Sequence, residues 1–188
     1  MTNELVTPKK YEEHAYVLDF MPHGKSILIK GRDGFIIQAI GKEWLTLLEV
    51  LALNNTSFEI GESICIAKEG RTKVISVLGR IRYEDLTNDA KNDIPGVIEK
   101  IVLDTEKKYV SYFNELQPVT PRLHALELIP GIGKTFMMQI LQEREKRSFE
   151  SFEDLQKRVG LRDPTKSIAK RIIEEITGEL RINLFIKK

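Results

Sequence analysis

The sequence predicts an α+β chain: a small antiparallel β-barrel, then a long helix, then a helical C-terminal domain. Three observations carry that prediction. Short runs of strand formers separated by Gly and Pro turns fill the first 86 residues, and apolar residues at helical spacing take over from Ile94. Between two of the later helical patterns lies a glycine bend, Leu128-Ile129-Pro130-Gly131-Ile132-Gly133-Lys134. The expected boundaries are 1–86 for the barrel, 87–120 for the linking helix and 121–188 for paired helical hairpins.

Residues 1–13 read as a polar, loosely held tail. Residues 14–21 (HAYVLDFM) are strand-forming and end at Pro22-His23-Gly24; residues 26–30 (SILIK) and 35–40 (FIIQAI) are further strands around the turn Gly31-Arg32-Asp33-Gly34. In residues 42–53 (KEWLTLLEVLAL), Trp44, Leu47, Leu48 and Leu51 fit helical spacing, but a buried strand is equally apolar, and strand is the preferred reading. Residues 63–67 (SICIA) and 73–81 (KVISVLGRI) complete the set. Closure into an OB-like barrel would leave no free edge. Such a barrel could meet a single strand with Tyr16, Phe20, Phe35 and Trp44 and with Lys68, Arg71 and Lys73. Barrel aromatics are mostly core and this half is acidic, so these residues rank as a secondary surface.

Thr87 suits the N-cap of a short helical turn and Pro95 the first turn of a longer helix, ending near Gln117 before Pro118 and Pro121. Ile94, Ile98, Ile101, Val102, Tyr109, Phe113 and Leu116 give it one buried face. Further on, Ser151 and Asp154 have capping-box-like spacing for a helix carrying Phe152, Leu155 and Val159. A last helix over 164–177 places Ile168, Ile172, Ile173 and Ile176 inside and Lys166, Lys170 and Arg171 outside. Residues 180–186 (LRINLFI) read as a short strand returning to the barrel or as a tail.

The bend is where the chemistry concentrates. A helix beginning immediately after a glycine turn leaves its first amides unbonded, and those of Gly131, Ile132 and Gly133, with Lys134 and Thr135 behind them, would face an anion such as a phosphate. The stretch resembles a helix-hairpin-helix motif, with apolar anchors at Leu128, Ile129 and Ile132. That resemblance implies sequence-independent contact with consecutive phosphates. Gly133-Lys134-Thr135 also ends like a nucleotide phosphate loop, but Leu128 stands where that motif needs its first glycine, which argues against ATP or GTP hydrolysis. The segment after Phe149 resembles the lead-in to a second hairpin. Its Gly160 has no second glycine at the right spacing, so a buttress is expected there.

Of 188 residues, 41% are hydrophobic and 30% charged, the balance of a soluble globular chain. Neither a signal peptide nor an apolar run of the ~20 residues that span a bilayer is visible, so a cytoplasmic protein without membrane contact is expected. Cys65 stands alone, and His14, His23 and His124 are scattered, so no metal site and no cofactor are expected. The net charge of +1 divides unevenly: residues 1–120 hold 15 Lys and Arg against 18 Asp and Glu, net −3, and residues 121–188 hold 14 against 10, net +4. The basic character lies with the bend.

The segments IGKEWLTLLEV, GRIRYEDLT, SYFNELQPVTPRLHALELIPGIGK and FESFEDLQKRV together resemble an uncharacterised, mainly archaeal family of predicted nucleic-acid-binding proteins, a domain of unknown function joining an OB-like β-domain to a helix-hairpin-helix. Its gene neighbourhoods, beside translation and rRNA-modification genes, imply RNA rather than DNA. The expectation is therefore a non-enzymatic binder of structured RNA, possible ribosomal RNA or ribosomal protein partners included. Its expected contacts are Gly131, Ile132, Gly133, Lys134, Thr135, Lys166, Lys170 and Arg171. The alternatives are a protein-interaction scaffold and a DNA-binding repair accessory. Glycosylase, ligase and nuclease signatures are not recognisable around Lys134.

Overall fold

The computed structural model describes residues 11–178 and 180–187, so the tail expected over 1–10 lies outside the described residues. The architecture is mixed α+β: a curled five-stranded antiparallel sheet forming half a barrel, and five α-helices. Contacts divide the chain into two compact units, Met1–Ala90 and Lys91–Lys188.

The first unit is built on β1 (His14–Lys25), β2 (Asp33–Gly41), β3 (Leu47–Ala52), β4 (Ser63–Cys65) and β5 (Val74–Arg80). They lie in the order β4-β1-β2-β3-β5, so a meander of three strands is joined by a fourth that returns beside the first, the Greek-key arrangement. The expected closure is not made. Among the described residues β4 and β5 pair on one side only, and with three residues β4 is too short to zip the seam. One face carries the core, from Ala15, Val17, Ile37, Ala39, Val50, Ile64 and Ile66 to the ring cluster Phe20, Phe35 and Phe58. Tyr16 and Phe35 are buried and unavailable for stacking on bases.

The other face of β2 is buried too and carries a polar anchor. Gln38 donates from Nε2 to the Asp85 carbonyl at 3.0 Å and accepts the Thr87 amide at 2.8 Å. The Thr87 hydroxyl donates to Asp19 at 2.6 Å and accepts the Ala90 amide at 3.1 Å, capping α1 (Asn88–Asp104). Thr87 therefore caps a seventeen-residue helix, not a short turn, and Pro95 sits within it.

Three further sequence expectations fail in this unit for identifiable reasons. β1 runs on through Pro22 to Lys25 because register shifts between Met21 and Gly24 absorb the missing donor. Residues 42–46 are a turn, since the Glu12 carboxylate accepts the amides of Glu43 and Trp44, each at 2.8 Å, and Thr46 at 3.2 Å; Leu45 adopts φ 58°. The run Ser26-Ile27-Leu28-Ile29-Lys30 is not a strand but a tight, exposed turn.

In the second unit the long helix breaks at Thr105, whose hydroxyl bonds back to the Ile101 carbonyl, and resumes as α2 (Glu106–Glu115). A small hairpin, β6 (Pro118–Thr120) with β7 (Leu123–His124), turns the chain into a single 3-10 turn over Ala125–Leu128, where the sequence suggested a helical pattern leading into the bend. Then come α3 (Lys134–Lys146), α4 (Phe152–Val159) and α5 (Pro164–Thr177). Ser151 caps α4 by accepting the Asp154 amide at 3.0 Å. Residues 180–187 form no strand. They lie along α5, held by Arg171 and Glu175.

His124 sets the entry to the bend. Its Nδ1 accepts the Leu126 amide at 3.1 Å and its own amide donates to Glu127 at 2.9 Å, so the ring is neutral with its proton on Nε2. Burial lowers its pKa, and the nearby Arg144 guanidinium adds to this against a weaker opposing pull from Glu127. A histidine whose folded pKa lies below its unfolded value contributes stability that is fully present above the unfolded value and is lost as pH falls through the folded one. Stability should therefore begin to decline as pH drops below about 6.5. His124→Asn keeps a capping acceptor without titrating, and its urea midpoint should show a shallower acid slope than wild type over that range.

Candidate nucleic-acid interface

The bend is made by Gly131 at φ 88°, a left-handed conformation that side chains rarely adopt. Ile129 and Ile132 are buried on either side of it, so the turn is anchored from below. One expected amide is already used: the Ile132 N–H donates to the Ile129 carbonyl at 3.1 Å inside the turn. The Ile132 amide is thus used within the turn, and its side chain is buried.

The other amides are placed differently. Gly133 is the N-cap of α3 at φ −88° and ψ −173°, extended backbone open to any residue. A Cβ added there would meet no atom within 4 Å. Neither conformation nor internal packing requires glycine at 133; its effect is to leave the backbone bare toward solvent. α3 has no side-chain cap and no acidic residue in its first turn, and its first internal bond runs from the Met137 amide to the Gly133 carbonyl at 2.9 Å. The amides of the first turn, with Lys134 and Thr135 exposed beside them, keep the positive end of the helix dipole uncompensated.

α5 begins next to this turn. An ideal Cβ on Gly131 would stand 3.5 Å from Ser167 Oγ, in the opening turn of α5. The segment before α5 repeats the bend with one residue more: Gly160 at φ 76°, Leu161 buried, then Arg162, and Asp163 at φ 51° as an N-cap that makes no side-chain capping bond. Lys166 is exposed and 3.6 Å from Asp163, and Lys170 is exposed one turn on. Arg162 is exposed as well and has no ion pair among the described residues; sequence reading passed over it, although its place after Gly160 parallels Gly133 after Gly131. Lys134 and Lys170 likewise have none.

Most of the remaining basic charge is spent on architecture. Arg171, expected on the outer face of the last helix, is 8% exposed, paired with Glu175 at 3.1 Å and donating to the Ile182 carbonyl at 2.7 Å. Arg144 donates to the carbonyls of Phe113 and Leu116 at the end of α2. Arg158 lies 4.4 Å from the Phe149 ring centroid and bonds Asp154 and the Glu143 and Arg147 carbonyls. The secondary surface on the first unit fares no better. Arg71 donates to the carbonyls of Ile66 and Ile75, and Lys73 pairs with Glu62 at 2.6 Å and covers the Phe58 ring, which leaves Lys68 exposed alone.

The chain has relatives among known proteins. The family model described as a protein of unknown function, DUF655, matches residues 11–187. The chain belongs to the DUF655 family. An uncharacterized protein of Methanocaldococcus jannaschii is 39% identical over 182 residues, covering 96% of this chain and 82% of that one. A crystal structure of a DUF655 protein from Archaeoglobus fulgidus is similar with a TM-score of 0.83 and 43% identity, covering 94% of this chain and all of that one. The family thus has homologues in archaea and a shared fold.

Proposed function

We propose that this DUF655 protein is a non-enzymatic nucleic-acid-binding protein that grips a phosphodiester backbone at the Pro130–Lys134 turn, read as a helix-hairpin-helix. The observation that carries the proposal is Gly133: a glycine that the fold does not need, at an uncapped helix N-terminus, beside a lysine that has no ion pair among the described residues. A bare amide there can approach a phosphate oxygen closely, Lys134 adds a full charge, and Arg162, Lys166 and Lys170 lie on the neighbouring α5 and its lead-in. The Greek-key strand order supports an OB-like reading of the first unit. RNA is favoured over DNA by the translation-linked gene neighbourhood that the family resemblance implies.

The test is a titration of fluorescent RNA at several salt concentrations. Wild-type log K should fall linearly with log[salt], and Lys134→Glu should weaken binding and flatten the slope by about one. Gly133→Ala, which the backbone accommodates, should weaken binding with the thermal midpoint unchanged. Wild-type affinity of both variants at low salt would remove this site.

A further inference from the structure

Residues 26–30 are the most strand-like run that the sheet leaves out. Ile27, Leu28 and Ile29 are 53%, 42% and 39% exposed, three consecutive large aliphatic side chains at the tip of the β1–β2 connection. Single exposed aliphatics are ordinary; a contiguous cluster marks an interaction site. This one is held in place. The Ser26 amide donates to the Arg32 carbonyl at 2.8 Å, and the Arg32 amide to the Ile29 carbonyl at 3.1 Å. Ser26 Oγ accepts the amides of Leu28 and Ile29. From the sheet, the buried Glu49 carboxylate accepts the Ser26 hydroxyl and, at 3.1 Å, the Ile27 amide. Gly79 on β5 leaves room for Leu28, whose Cδ1 would be 2.9 Å from a Cβ there. A strand of the first unit thus spends a buried carboxylate on presenting aliphatic side chains to water, a local conflict of the sort that accompanies function.

The flanks identify the partner. Lys25, Lys30 and Arg32 are all exposed and none has an ion pair among the described residues, although the unit as a whole is acidic; Asp33 is the one carboxylate in the stretch. A stable protein interface covers about 800 Å² on each partner, far more than a three-residue tip offers. A small apolar tip ringed by cations suits an anionic polymer with apolar faces between its charges. We propose that the Lys25–Arg32 turn is a second nucleic-acid contact, with Ile27, Leu28 and Ile29 against unpaired bases and the three cations on flanking phosphates. The proposal rests on the nucleic-acid reading above and adds to it single-stranded character at this contact.

The full chain should be titrated with single-stranded RNA carrying 2-aminopurine, alongside the Ile27→Ser/Ile29→Ser and Lys30→Glu/Arg32→Glu double variants. All four substitutions are on exposed side chains. The first should weaken binding about fivefold or more and abolish the 2-aminopurine signal; the second should flatten the salt slope by about two. If Lys134→Glu weakens binding but neither loop variant does, this inference fails and the hairpin site stands. If the loop variants weaken it and Lys134→Glu does not, the loop stands and the hairpin assignment fails. Binding to phosphatidylserine vesicles that needs Ile27 and Ile29, with RNA binding unaffected, would overturn the inference in favour of a lipid surface.

Discussion

Glu175→Ala should destabilise the second unit by about 3–5 kcal/mol and release the C-terminal segment, because it takes the nearer carboxylate from a buried cation and the acceptor from three amides. Glu175 is 3% exposed. Its carboxylate accepts the amides of Leu184, Phe185 and Ile186 at 2.6, 3.0 and 2.9 Å as well as Arg171 Nε at 3.1 Å. Without it, three amides lose their acceptor and the Arg171 guanidinium loses its nearer carboxylate, keeping only Glu174 at 3.8 Å and the Ile182 carbonyl at 2.7 Å. Phe185, which packs on Tyr109 and Tyr112 with ring centroids 5.7 and 4.9 Å away, would lose its seat. Urea unfolding followed by circular dichroism gives the stability, and trypsin cleavage after Arg181 reports release of the segment. Glu175→Gln, which retains an acceptor oxygen, should fall between. A Glu175→Ala variant that unfolds with wild type and resists trypsin equally would show that the segment is held by packing alone.

Ile129→Ala should cost about 2–5 kcal/mol by leaving a cavity under the bend. Ile129 is fully buried and its carbonyl takes the Ile132 amide, so it fixes both the floor and the closure of the turn. The same variant should weaken RNA binding even where it remains folded, because the Gly133 amide would no longer be held in position. Ile129→Val, which removes one methylene, should cost about 0.5–1.5 kcal/mol and leave binding near wild type. Equal RNA affinity for a folded Ile129→Ala protein would argue that the turn's geometry is irrelevant to binding.

The bend itself was readable from residue types. Gly131 needs a positive φ, Ile129 and Ile132 need burial, and a helix starts at Lys134; each requirement is local and each is met. Its amides were only partly readable. That Ile132 donates inside the turn while Gly133 faces open space depends on which carbonyl falls within reach, a matter of three-dimensional closure. The strand at 26–30 failed for a related reason: its β-propensity is real, but Ser26 and the distant Glu49 supply competing hydrogen bonds that strand pairing would have to displace.

By itself, the amino-acid order determined where most helices and most strands form, where the chain must bend, and that a glycine pair precedes a helix. These follow from backbone preferences that act over a few residues. Which cations stay free was settled only by tertiary structure. Arg171 and Lys170 are neighbours in sequence, yet one is buried against Glu175 and the other is exposed, because pairing is decided by what the fold brings within a few ångströms. For the same reason a basic half of net +4 reduces to a few cations, Lys134, Arg162 and Lys170 among them, available to a phosphate backbone.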